Sequence, residues 1–106
     1  MDNDFFDIAW DAKAGEDLDL IFEYLTENVS ENVAQKVKKE IVTAVRRLQT
    51  QPESFPPDPL LHSRPENFRY IRLWNYKIVY EFTGREVIVL RIFHFRQNLA
   101  EQYKNF

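Results

Sequence analysis

Three runs rich in aromatic and β-branched residues stand almost end to end near the C-terminus: NFRYIRLW at 67–74, YKIVYEF at 76–82 and EVIVLRIFH at 86–94. Asn75 separates the first two, and Thr83-Gly84-Arg85 separates the last two. Such residues favour strands. Strands joined this closely return beside one another, because a parallel partner needs a crossover of a dozen or more residues. Gly84 supplies the positive backbone angle that a tight turn asks for. The chain is therefore built around an antiparallel meander, and a meander must bury one face against another layer.

The upstream residues provide that layer. Phe6, Ile8 and Trp10 alternate with polar or small residues, which predicts a short strand over residues 4–10. Asp11 can cap a helix, and Leu18, Ile21, Phe22 and Leu25 recur at helical spacing, predicting a helix over 12–27. Ser30 can cap a second, longer helix whose apolar stripe is Ala34, Val37, Ile41, Ala44, Val45 and Leu48. Lys36, Lys38, Lys39, Arg46 and Arg47 decorate this helix, and Pro52 stops it. So short a link makes the two helices an antiparallel hairpin. All five prolines fall within 52–66, PESFPPDPLLHSRPE, which reads as a loop with Phe55, Leu60 and Leu61 tucked against the core. The expected fold class is α+β: an N-terminal strand, then a helical hairpin packed on one face of a small, mainly antiparallel sheet. The order is β-α-α-β-β-β, with a short C-terminal helix or tail over 97–106, in a single domain spanning 1–106.

Composition narrows the chemistry. Hydrophobic residues make up 44% of the 106 and aromatics 15%, as in a folded domain. There is no cysteine, which removes disulfides, thiolate metal sites and a cysteine nucleophile. Two glycines cannot build a phosphate-binding loop, and two histidines 32 positions apart with no acids paired beside them do not suggest a metal. No cofactor is expected. No apolar run approaches the ~18 residues of a membrane span, and the acidic start MDNDFFDIAW is unlike a secretory signal. The expected compartment is the cytoplasm, with no membrane partner. The net charge of −3 conceals a division: residues 1–34 carry ten acids and one base, residues 35–106 thirteen bases and seven acids. That asymmetry points either to an anionic partner for the basic part or to a solvated acidic helix face.

Strand alternation places Ile88, Leu90 and Ile92 on one face, and Val87, Val89, Arg91 and Phe93 on the other. With helices on one face, Arg91 is expected to mark an open face, near Lys77 and one of Arg69 and Arg72. His94, Arg96 and Gln97 follow at the strand end. Such a surface can grip phosphates, and a histidine beside arginines can move a proton while the cations stabilise a phosphorane. The same residues equally describe a solvated or protein-binding face. Tyr103 is a phenol for catalysis or an aromatic for packing, Glu81 is expected to make cross-strand ion pairs, and Trp10 and Trp74 to pack in the core or at an edge. His62 reads as a surface residue.

The segments EDLDLIFEYL, AQKVKKEIVTAVRRLQTQP and NFRYIRLWNYKIVYEFTGREVIVLRIFHFRQN together resemble the RelE/ParE superfamily of toxins from type II toxin–antitoxin systems, often called plasmid-stabilisation proteins. The likeness covers nearly the whole chain and is most specific in Phe68, Arg69, Ile71, Tyr76 to Glu81 and Val87 to Gln97. It implies a toxin that inhibits growth until a cognate antitoxin wraps it, as a homodimer or a toxin–antitoxin hetero-oligomer. The ending HFRQN and the acidic overall charge are closer to the ParE branch, which implies DNA gyrase as target. The RelE branch would instead imply a ribosome-dependent nuclease acting on messenger RNA, with His94, Arg96 and Tyr103 as its catalytic residues. On either branch Arg69, Arg72, Lys77, Arg91 and Arg96 are the residues implied to meet the target or the antitoxin. A diverged, non-toxic antitoxin-binding module is a third reading.

Overall fold

The structure, a computed structural model, describes residues 5–61, 63–95, 103 and 106. Strand β1 covers Asp7–Trp10, helix α1 Ala12–Asn28 and helix α2 Glu31–Arg46, followed by a 3-10 turn at Arg47–Gln49. Strands β2, β3 and β4 cover Phe68–Leu73, Tyr76–Phe82 and Glu86–His94. They form one sheet in the order β1-β4-β3-β2, with β1 parallel to β4 and the other pairs antiparallel. The expected α+β arrangement is the one observed. The C-terminal helix or tail expected over 97–106 lies mostly outside the described residues.

Local chemistry sets the helix ends. The Asp11 carboxylate accepts from the Lys13 amide at 2.9 Å, and the Ser30 hydroxyl accepts from the Val33 amide at 3.1 Å. Each satisfies an amide donor that the first helical turn leaves unpaired. The helices lay Ala14, Leu18, Ala34, Ile41 and Leu48 onto Ile78, Tyr80, Val87 and Val89 of the sheet, all of them buried. Truncating Leu48, which is fully enclosed, to alanine would cost roughly 2–5 kcal/mol.

The opposite face is not open. Leu61, Phe68, Val79, Phe93 and Tyr103 form a second buried cluster, with Leu90 and Phe106 packed on it. The proline-rich loop also shields the β2 edge. The Asp58 amide donates to the Phe68 carbonyl at 2.9 Å, and the Tyr70 amide to the Pro56 carbonyl at 3.2 Å. Prolines suit this place, since edge contacts do not require a donor from every residue.

Strict alternation fails in β4. Tyr80 pairs with Val89 and Val79 with Arg91, so Leu90 has no partner across the ladder. This is a β-bulge. Val87 and Val89 face the helices, Leu90 packs on the second cluster, and beyond the bulge Ile92 faces the helices while Phe93 faces away.

Candidate functional site

The sheet cations expected to project from an open face are largely engaged in the fold. Lys77 is 4% exposed. Its ammonium lies 3.3 Å from both carboxylate oxygens of Asp58, which is itself buried. The Tyr103 hydroxyl donates to the same carboxylate at 2.8 Å, and the Leu60 amide donates at 2.9 Å. Lys77 also lies over the rings of Tyr70 and Tyr103, at 4.6 and 5.2 Å from their centroids. Burial, then the hydrogen bond to Asp58, pushes the Tyr103 phenol far above its ordinary range. The hydroxyl donates from a buried position, with its ring packed on Phe93.

Arg91 turns from the second face around the sheet edge to α1. Its Nε and Nη2 donate to the two Asp17 oxygens at 2.8 and 3.1 Å. The Ile92 amide also donates to Asp17, at 2.9 Å. The β1 ladder ends at the Trp10–Val89 pair, so this carboxylate takes over where strand pairing stops and covers the freed edge of β4. The hydrogen bond from Arg91 to Asp17 raises the guanidinium pKa further, against the opposing effect of burial.

Arg69 ties down the loop. It donates to the carbonyls of Glu53 and Phe55 at 3.1 and 2.6 Å and to the Asn67 side chain at 3.1 Å. Arg72 is exposed and stacks 4.2 Å from the Phe95 ring centroid. Glu81 makes no ion pair among the described residues, in contrast to expectation; burial, then Glu66 and Glu86, pushes its carboxyl upward. Arg96 and His62 lie outside the described residues.

His94 stands on the helix side of the sheet. Its ring meets Tyr76 edge-on at 5.5 Å, and burial, assisted by Tyr24, pushes the Tyr76 phenol upward. Both line a furrow of about 430 Å³ with Leu20, Tyr24 and Ile92. Leu20 and Tyr24 stand 63% and 62% exposed on α1, an apolar step that the helical stripe did not include. Tyr103 packs on Phe93, on the other side of the sheet. Lys77 and Tyr103 thus come together, and His94 does not join them. Sequence spacing gave no sign of Asp58 and Asp17, the two acids that organise these groups, because they lie 19 and 74 residues from their partners.

A two-helix hairpin on a four-stranded sheet, with its second face closed by loop and C-terminal aromatics, fits a RelE/ParE superfamily domain. Residues 8–99 match the family model of the ParE toxin of the type II toxin–antitoxin system parDE. The chain belongs to that family and is a ParE-type toxin. Among solved structures, it is similar to a chain of the chromosomal ParDE toxin–antitoxin system from P. aeruginosa, with a TM-score of 0.71 and 26% identity over 87% of this chain and 98% of that one. A chain of the RelB–RelE antitoxin–toxin complex from Methanococcus jannaschii shares the fold, with a TM-score of 0.53 and 18% identity over 90% of this chain and 98% of that one. Comparison with curated protein sequences gave no match. No helix among the described residues is long and apolar enough to cross a membrane.

Proposed function

We propose that this ParE-type toxin arrests growth by acting on DNA gyrase, not by cutting messenger RNA, and that a cognate antitoxin holds it in check. The observation that carries the reading is the separation of His94 from Tyr103, two of the three candidate nuclease residues (Arg96 lies outside the described residues), together with the engagement of the sheet cations in the fold. Lys77 and Arg91 are bound to Asp58 and Asp17, Tyr103 is a buried donor, and His94 lies across the sheet from Tyr103. In-line attack on a phosphodiester needs an acid, a base and a cation around one phosphorus. The apolar furrow beside Leu20 and Tyr24 supports the antitoxin half of the reading, because exposed apolar steps on a helix suit an amphipathic partner.

The test is induced expression in a bacterial host with transcript ends mapped, alongside a supercoiling assay with purified protein and gyrase. The expected result is uncut messages with lost supercoiling. New cuts inside translated messages, absent from a His94→Ala variant, would replace this reading with the ribosome-dependent nuclease.

A further inference from the structure

A further group of exposed cations lies on α2 and the 3-10 turn that follows it. Lys36, Lys38, Lys39, Arg46 and Arg47 are all exposed, and none makes an ion pair among the described residues. Every ion pair among those residues instead uses Arg64, Arg69, Lys77 or Arg91. Exposed acids are available on the neighbouring helix: Glu16, Asp19, Glu23 and Glu27 all project from α1. The two signs nevertheless stay apart, whereas an ordinary solvated surface intersperses them. Lys36 and Lys39 are three residues apart on one helical face, where like charges repel.

At the end of this row, Trp74 occupies the turn between β2 and β3. Its φ is 57°, in the left-handed region that bulky side chains avoid, and the residue is 53% exposed. Asparagine or glycine would relieve that strain. Local preference therefore does not explain a tryptophan here, and of the two roles expected for it, in the core or at an edge, its exposure leaves the edge. Lys36 lies over its ring, 5.6 Å from the centroid. The furrow lined by Lys36, Lys39, Thr43, Arg47 and Leu73 runs along the same side of α2.

We infer that the outer face of α2, with Trp74 at its end, binds a single-stranded nucleic acid: the cations take the phosphates and the indole stacks on a base. From Lys36 to Arg47 the helix rises about 16 Å at about 1.5 Å per residue. That length meets several successive phosphates, which stand about 3.4 Å apart along a stacked strand. An exposed flat ring beside a row of cations is the combination that single-strand binding uses, because every base has a face to stack. A second copy that set its acidic α1 on this basic α2 about a two-fold axis is the competing occupant, and the sedimentation arm of the test below detects it. An acidic protein segment is the other polyanion this surface could meet, and competition by polyglutamate in the test below separates it from a nucleic acid. Glu40 is the one acid of α2 within the row, and its Oε2 is buried without a hydrogen-bond partner among the described residues. The inference does not depend on the gyrase reading.

The experiment is fluorescence anisotropy with labelled 12-nucleotide probes of oligo-dT, oligo-rU and a duplex DNA, titrated with the full chain at rising salt. Single strands should bind in preference to duplex, with a log–log salt slope of about −3, corresponding to about four phosphate contacts. The double substitution Lys36→Glu/Lys39→Glu should weaken binding at least about tenfold, and Trp74→Ala about fivefold or more. Glu40→Gln should tighten it. All these positions but Glu40 are exposed, and circular dichroism confirms that each variant is folded. Tighter binding to dT or to rU supports the inference and identifies the sugar. No binding at low salt, or binding indifferent to Lys36→Glu/Lys39→Glu, overturns it. So does equal binding of duplex with Trp74→Ala silent, equal competition by polyglutamate, or salt-sensitive self-association in sedimentation.

Discussion

Replacing Lys77 with methionine keeps most of the unbranched apolar stem and removes the charge. The Asp58 carboxylate would then stay buried with two donors, the Leu60 amide and the Tyr103 hydroxyl, and no counter-charge. At the 3.3 Å separation, an ion pair is worth about 5 kcal/mol at an effective dielectric of about 20. Desolvation of both groups offsets much of that in the intact protein. Deleting one partner exposes the uncompensated half, and the expected loss is about 3–5 kcal/mol. For a domain of this size the unfolding entropy is about 2.1 cal/mol/K per residue, so the midpoint should fall by roughly 15–20 °C. The double variant Lys77→Met/Asp58→Leu removes the stranded charge and should recover most of the loss. Thermal melts of the three proteins measure this directly. If Lys77→Met melts within a few degrees of wild type, or the double variant is no better than the single one, the buried pair is not what holds the loop and Tyr103 onto the sheet.

Asp17→Asn keeps an acceptor for the Ile92 amide but removes the charge-assisted fork to Arg91. It should cost about 1.5–3 kcal/mol and speed hydrogen exchange at Ile92 without affecting β1. Arg69→Lys has one nitrogen and cannot reproduce the Nη1 bonds to the Glu53 and Phe55 carbonyls together with the Nε bond to Asn67, and limited proteolysis should cut the 52–66 loop roughly ten times faster if the contact is worth about 1.4 kcal/mol. Burial pushes the Tyr80 phenol up to about 12, and its hydroxyl donates to the Pro52 carbonyl at 2.7 Å. The folded state thus keeps a proton that the unfolded chain releases near pH 10. Its contribution is fully present below pH 10 and is lost as pH rises towards 12, with a slope of about 1.4 kcal/mol per pH unit. Alkaline titration of Tyr80→Phe should show a shallower fall.

The architecture was readable because it rests on periodicity and punctuation. Leu18, Leu25, Ile41 and Leu48 keep helical spacing, Asp11 and Ser30 cap where they stand, and Gly84 takes a φ of 92° at the expected turn. The cations were harder to place. Parity grouped Arg91 with Val87 and Val89 on one open face, but the unpaired residue in β4 separates it from those two, which face the helices, and Asp17 ties its guanidinium to α1. Asp58 lies in Pro57-Asp58-Pro59, where nothing local tells that its carboxylate will be enclosed beside Lys77. The alternating pattern equally gave no warning that Leu61, Tyr103 and Phe106 would close the second face. Long-range pairing of charges is a property of the assembled layers, and short windows do not contain it.

The unpaired Leu90 gives β4 an unusual tolerance. Removing that residue would join Val89 directly to Arg91, and the restored alternation would leave Arg91, Ile92, Phe93 and His94 on the sides they now occupy. The strand would lose an apolar side chain and its bend, but no residue would cross the sheet. Deleting a residue elsewhere in β4 would force the strand either to lose that bend or to turn its remaining half inside out. The chain can therefore be shortened at this one point without rewriting which side chains belong to which layer.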